Sequence, residues 1–224
     1  MSRRKRIIRK PKEKLQKEKF SLGFLDHIYY INLEYRKDRK ESIVNEIKLI
    51  DPELKKTTRI NAIKHEKGAV GCGKSHILAL EDAEKNNYEI IMILEDDFLF
   101  FSKIEILNEV YKELVDFDKD YNLFLVGKNL QRGKKVTKKL IEVHNAQTTS
   151  GYIIKNKFIP ELKKNFTEAV EGLEKGKKID DYAIDMYWKK LQGEGKKIYT
   201  SSLKLGYQRS GYSDIEKKNV SYGI

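Results

Sequence analysis

The run Ile90-Ile91-Met92-Ile93-Leu94, followed at once by Glu95-Asp96-Asp97, restricts the fold more than any other stretch of this 224-residue chain. A strand with one face in water alternates apolar and polar residues. This one does not alternate, so it needs cover on both faces, as in a parallel sheet with helices above and below. The remaining text supplies such partners in turn. His27–Leu33 (HIYYINL), Thr57–Ile63, Leu123–Val126, Thr149–Lys155 and Lys197–Leu203 are β-branched or aromatic and predict strands. Between them, Ile43, Val44, Ile47 and Ile50 fall at helical spacing, as do Cys72, His76, Ala79, Leu80 and Ala83. Further helices are predicted over Ile104–Val115, Phe158–Lys175 and Asp180–Leu191, with a hydrophilic stretch up to Lys139. The alternation argues for one open α/β domain over residues 23–224, preceded by a basic arm over residues 1–22.

Charge sharpens that division. The net charge is +12, but residues 1–20 hold ten Lys or Arg against two Glu, so the body carries only +4. A mildly basic body argues against specific nucleic-acid recognition. The arm lacks the apolar core of a secretory signal and suits a solvated tail, or contact with acidic lipid headgroups or another polyanion. No apolar run approaches the ~20 residues that span a bilayer. The single cysteine, Cys72, excludes an intramolecular disulfide framework and a multi-cysteine metal site. The natural expectation is a reducing, cytoplasmic setting, with peripheral membrane contact through the arm.

Two stretches bear on chemistry. Gly68–Ser75 (GAVGCGKS) has the spacing of a nucleoside triphosphatase phosphate loop, with Lys74 as its lysine. Such a loop springs from a buried strand, whereas Lys64-His65-Glu66-Lys67 precede this one. The carboxylates Glu95, Asp96 and Asp97 are delivered by an apolar strand to the carboxyl edge of the sheet, where open α/β folds bind ligands. Three adjacent carboxylates repel one another unless a cation offsets them, and a hard divalent metal is the natural partner. The plainer alternative is a solvated turn whose aspartates cap a helix.

Taken in order, Tyr29–Ile43 (YYINLEYRKDRKESI), Arg59–Ile63, Gly68–Leu80, Ile93–Phe98 (ILEDDF), Ser150–Ile154, Ile179–Asp185 (IDDYAID) and Gly206–Glu216 (GYQRSGYSDIE) resemble the family 25 glycosyltransferases. That family includes bacterial lipooligosaccharide galactosyltransferases and collagen galactosyltransferases. The resemblance covers almost everything after the arm, and it makes Gly-Cys-x-x-Ser-His a family element that imitates a phosphate loop through Lys74. It implies a GT-A fold, a Rossmann-like nucleotide-sugar domain with a mostly parallel sheet, and an inverting hexosyl transfer from a uridine diphosphate (UDP) sugar. The partners implied are that donor and a glycan, lipid-linked sugar or protein acceptor. Manganese or magnesium would be held by Asp97 with Glu95 or Asp96 assisting, Asp96 also facing the nucleotide sugar. Arg36 and Arg39 would pair with the diphosphate, where a forked guanidinium does what lysine cannot. Asn32, Ala62 and Ile63 would frame the base, Ser75 would bind the donor, and Gln208, Ser213 and Asp214 would close over it. His76 lies on the apolar stripe of its helix, so it is expected either as a donor ligand or as a satisfied buried histidine.

Inversion requires a base for the acceptor hydroxyl. Asp180, Asp181 and Asp185 are the candidates. If Ile179, Tyr182, Ala183, Met186, Tyr187 and Leu191 form the buried stripe of one helix, Asp181 and Asp185 face solvent and Asp180 stands beside the stripe. Asp180 also holds the family's acidic position and is the expected base. A helix-capping role competes with it, and Asp181 stays open as the alternative. Two other readings survive at this level: a triphosphatase or kinase using Gly68–Ser75, and a non-catalytic polyanion-binding module.

Overall fold

The structure is a computed structural model that describes residues 22–213 and 218–220. Residues 1–21 of the basic arm and Asp214 lie outside the described residues. Eight strands form one mixed sheet in the order β2-β1-β3-β8-β5-β9-β7-β6. In chain order these are β1 (His27–Asn32), β2 (Thr57–Asn61), β3 (Ile90–Glu95), β5 (Leu123–Leu125), β6 (Asn129–Lys135), β7 (Leu140–Gln147), β8 (Gly151–Lys155) and β9 (Ile198–Ser201). The pairs β1–β2, β1–β3 and β5–β9 are parallel, and only β7 and β8 run against the other strands. The short strand β4 (Phe98–Phe100) pairs antiparallel with β10 (Gly206–Gln208), and β11 (Gly211–Ser213) with β12 (Lys218–Val220).

The absence of alternation in the central strands has a direct structural cause. Ile91 and Ile93 join one core with Tyr29 and Ile31, while Met92 and Leu94 join another with Ile28 and Tyr30. Both faces of the sheet are therefore packed. Helix α1 (Lys37–Ile47) buries Ile43 and Ile47 on the second face, together with α3 (Ile104–Phe117). Helix α2 (Gly68–Lys85) and α4 (Ile159–Glu174) cover the first. The chain leaves β1 over one face to reach β2 and returns over the other to reach β3. The carboxyl ends of β1 and β3 thus flank a topological switch point, where such sheets open a crevice.

Two sequence expectations are corrected here, and the competing phosphate-loop reading is removed. The hydrophilic stretch before Lys139 is largely β6, an exposed Lys/Arg-bearing edge strand that hairpins onto β7. Edge strands tolerate such residues, so their strand character escapes a search for apolar runs. The stretch Gly68–Ser75 forms no loop: α2 starts at Gly68, and these residues are its first two turns. Asp180–Leu191 is not one helix. It is α5 (Ile179–Tyr182), a break at Ala183 (φ −57°, ψ 142°), α6 (Ile184–Tyr187) and a 3₁₀ turn over Trp188–Leu191. Ile179, expected in the buried stripe, is exposed, and Ile184, Tyr187 and Trp188 carry the packing. The break also turns Asp185, expected in solvent, into a half-buried position.

Candidate active site

The acidic turn sits where β3 ends, and the residue that follows it fixes its position. Phe98 is fully buried, and a Cβ on Gly151 or Gly206 would stand 2.5 or 2.2 Å from its ring. Two glycines thus form the slot that anchors the turn through its neighbour. Ahead of that anchor the carboxylates are strapped from three elements. Asn32, at the end of β1, donates to Asp96 at 2.7 Å. Arg39 on α1 reaches Asp96 at 2.9 Å and Asp97 at 3.1 Å through one nitrogen, and donates through the other to the Tyr212 carbonyl at 2.6 Å. Gln208 on β10 donates to Asp97 at 3.1 Å and accepts from the Thr148 hydroxyl at 3.2 Å. Asp97 Oδ1 remains buried with no partner.

These carboxyls differ electrostatically. Burial raises Asp97 to about 7, and the nearby Glu95 charge adds to this against the pull of Arg39. Burial also raises Asp96, with Arg39 and Asn32 opposing. Glu95 resists its own burial and is held low by His76 and by the hydroxyl of Thr149, which donates at 2.7 Å. His76 is fully buried, with its nitrogens 3.0 Å from the Tyr152 hydroxyl and 3.2 Å from Glu95. It is a satisfied buried histidine at the cavity wall. The Cys72 thiol is pushed well up by burial and by the surrounding carboxylates.

Two cavities meet at this turn. The first, about 600 Å³, is lined by Arg39, Ala62, Ile63, Ser75, His76, Glu95, Asp96, Asp97 and Gln208 among others. Sequence reasoning placed all of these together. It missed the aromatic rims Tyr35 and Tyr212 and the loop residues Lys64 and His65, which no periodicity marks. Ser75 holds this wall in place: its hydroxyl donates to the Gly71 carbonyl at 2.6 Å and accepts from the Ile63 backbone at 2.8 Å. Arg36 pairs with Asp38 at 3.0 Å and is not among the lining residues. Ser213 ends β11 next to Tyr212.

The second cavity, about 540 Å³, shares Cys72, Glu95 and Gln208 with the first and is lined by Thr148, Asp180 and Asp185. Asp180 is exposed at its edge, and Asp181 is exposed without lining it. Asp185 is raised by burial and by the Glu95 charge, and accepts a hydrogen bond from the Thr148 backbone. Thr148 itself has φ 72°, a conformation a β-branched residue adopts only under constraint. Strain at the corner between β7 and β8 thus accompanies contacts to Asp185 and Gln208, a link invisible in the sequence. Lys74, by contrast, forms an ion pair with Glu174 at 2.6 Å and lines neither cavity. With α2 helical from Gly68 and its lysine directed elsewhere, the triphosphatase loop is absent.

Comparison with known proteins places this geometry in context. Residues 52–188 match the model of "Glycosyltransferase family 25 (LPS biosynthesis protein)". Procollagen galactosyltransferase 2 of Mus musculus is 24% identical over 214 residues, covering 80% of this chain and 33% of that protein. The chain therefore spans about a third of the curated relative it matches. Among solved structures, A197 from STIV aligns with 88% of this chain and 93% of its own at 14% identity and a TM-score of 0.45. An apo UDP-glucose pyrophosphorylase covers 82% of this chain and 74% of its own at 13% identity, with a TM-score of 0.45. Among the described residues no helix is long and apolar enough to cross a membrane.

Proposed function

The chain belongs to glycosyltransferase family 25, and from that premise we propose that it moves a hexose, galactose or glucose, from a UDP-sugar to an acceptor hydroxyl with inversion. The observation that carries this reading is the meeting of two cavities at one acidic turn. The first has room for a nucleotide diphosphate, and the second for the group that attacks.

The residues at the turn fit a hard divalent cation such as manganese or magnesium. Two carboxyls, Asp96 and Asp97, share one guanidinium, and Asp97 Oδ1 is a buried acceptor with nothing to accept from. Asp97 would hold the ion with Glu95, Asp96 staying with Asn32, Arg39 and the nucleotide sugar. When bound, that ion supplies charge neutralisation for the departing diphosphate. The chain's own groups do the rest. Ala62 and Ile63 shape the base side of the first cavity. Asn32 does not line it and instead orients Asp96, and Arg39 keeps the turn rigid and adds positive charge near the phosphates. Arg36 serves the diphosphate only by leaving Asp38. Ser75 holds the cavity wall at Ile63, and Gln208 closes over the donor from β10.

In the second cavity the acceptor oxygen attacks the anomeric carbon. Its bond forms as the carbon–oxygen bond to the diphosphate breaks, the leaving group keeps the electron pair, and the acceptor proton passes to Asp180. A carboxylate at the cavity edge is accessible to an incoming hydroxyl, which supports Asp180 over Asp181. The acceptor is a glycan, a lipid-linked sugar or a hydroxylated protein side chain. Calorimetric titration with UDP and manganese tests the site: wild type binds, and Asp97→Ala folds but loses manganese-dependent binding. Unchanged affinity in that variant removes Asp97 from the site.

A further inference from the structure

Nothing in this transfer uses the thiol of Cys72. Cys72 and His76 stand one turn apart on α2 and face Glu95 at the end of β3. A sulfur, a ring nitrogen and a carboxylate oxygen there all lie within 4.8 Å of one another. The nitrogen and oxygen are 3.2 Å apart, close to the ~3.3 Å separation that a tetrahedral zinc ion imposes on such ligands. With every pair within 4.8 Å, the sulfur needs to approach by at most about 1.2 Å to reach its own ideal separation of ~3.6 Å.

The outer contacts suit a metal centre. The Tyr152 hydroxyl engages the second nitrogen of His76 and fixes its ring, and the Thr149 hydroxyl fixes Glu95. Cys72 and Glu95 line both cavities, so a fourth coordination direction opens to solvent. Burial and the carboxylates Asp96, Asp97 and Asp185 hold the thiol proton, so a cation binding there displaces that proton to solvent as the metal–sulfur bond forms.

We propose that Cys72, His76 and Glu95 form a binding site for a thiophilic divalent cation of the zinc class. Ligand softness separates it from the all-oxygen turn, since thiolate and imidazole favour zinc where carboxylates favour manganese or magnesium. An ion seated there lies where the two cavities meet and engages Glu95. On the transferase reading it therefore inhibits transfer, whereas the binding itself does not depend on that reading.

The test uses the full chain freed of metal, titrated with zinc against a chromophoric chelator and separately with cobalt(II). With one cysteine in the chain, a thiolate-to-cobalt charge-transfer band identifies Cys72 without ambiguity. The expected result is that band in wild type and in Asp97→Ala, with zinc affinity at least tenfold weaker in Cys72→Ser and the band gone. Equal zinc affinity in wild type and Cys72→Ser overturns the proposal. So does the absence of the band in folded wild-type protein, a result that decides even if the serine variant fails to fold. Neither readout requires turnover, so loss of the transferase reading leaves this site standing, and loss of this site leaves the transferase reading standing.

Discussion

At Asp97 a carboxyl is held in a place where its charge is disfavoured, with one oxygen left unpartnered. Burying an acceptor without a partner costs about 1–3 kcal/mol, and such a cost at a cavity wall is recovered when a ligand arrives. Lys74 is the contrasting residue. Its motif spacing suggests phosphate chemistry, yet its ammonium pairs with Glu174 at the surface, and exposed pairs contribute little. Lys74→Ala is therefore expected to leave both the melting temperature and donor turnover close to wild type. A loss of turnover beyond about tenfold, measured with saturating donor, would return the loop reading to contention. The base is tested in the same way. The capping role expected for Asp180 is not seen, because α5 is capped at Lys178 with no side-chain bond. Asp180→Asn keeps the side chain's size and should retain donor binding while transfer falls about a hundredfold or more. Near-normal transfer would shift the base to another carboxylate.

The elements are held at close quarters by small residues whose purpose the sequence disguises. A Cβ on Gly71 would stand 2.2 Å from the Ile63 carbonyl, and one on Gly73 would stand 2.5 Å from Val170. Gly73, one of the two glycines the phosphate-loop spacing requires, packs α2 against α4, and Gly71 between them packs α2 against the β2–α2 connection. Gly71→Ala should destabilise the fold by about 1–3 kcal/mol, because a backbone atom must move; chemical denaturation measures this, and a neutral result would contradict the packing role. In β1, burial lowers His27 from its ordinary value against the opposing charges of Asp82 and Asp51. A histidine lowered by folding takes up its proton more readily in the unfolded chain. Its stabilising share is thus complete above 6.5 and declines as pH falls toward its folded value. His27→Gln should flatten the dependence of melting temperature on pH below 6.5, and an unchanged slope would exclude this source. The strands and helices around the acidic turn were legible because their apolar residues recur at fixed periods. The β6–β7 hairpin was not, since an edge strand needs no apolar run. The break at Ala183 was not either, because the stripe from Ile179 to Leu191 fits one helix as well as two. That break moved Asp185 from solvent into the second cavity, and no local pattern announces it.

At the scale of the whole molecule, the switch point between β1 and β3 explains why residues from distant stretches converge. Asn32, Arg39, the acidic turn and Gln208 are joined by hydrogen bonds at one sheet edge. Family order made this convergence readable residue by residue, while the two-cavity arrangement emerged only from the fold. The charge of the molecule is divided, with +8 of its +12 in residues 1–20. Removing those residues is expected to weaken sedimentation with acidic vesicles while donor turnover persists, and unchanged sedimentation would assign the surface charge elsewhere. The central claim, nucleotide-sugar chemistry at the acidic turn, is met most directly by a donor screen with manganese. UDP-galactose, UDP-glucose and other nucleotide sugars are incubated with the full chain, and released nucleoside diphosphate is measured beside ATP hydrolysis. The account predicts slow release of UDP from a UDP-hexose, abolished in Asp97→Ala, with no hydrolysis of ATP. Turnover of ATP with every nucleotide sugar left intact would contradict it.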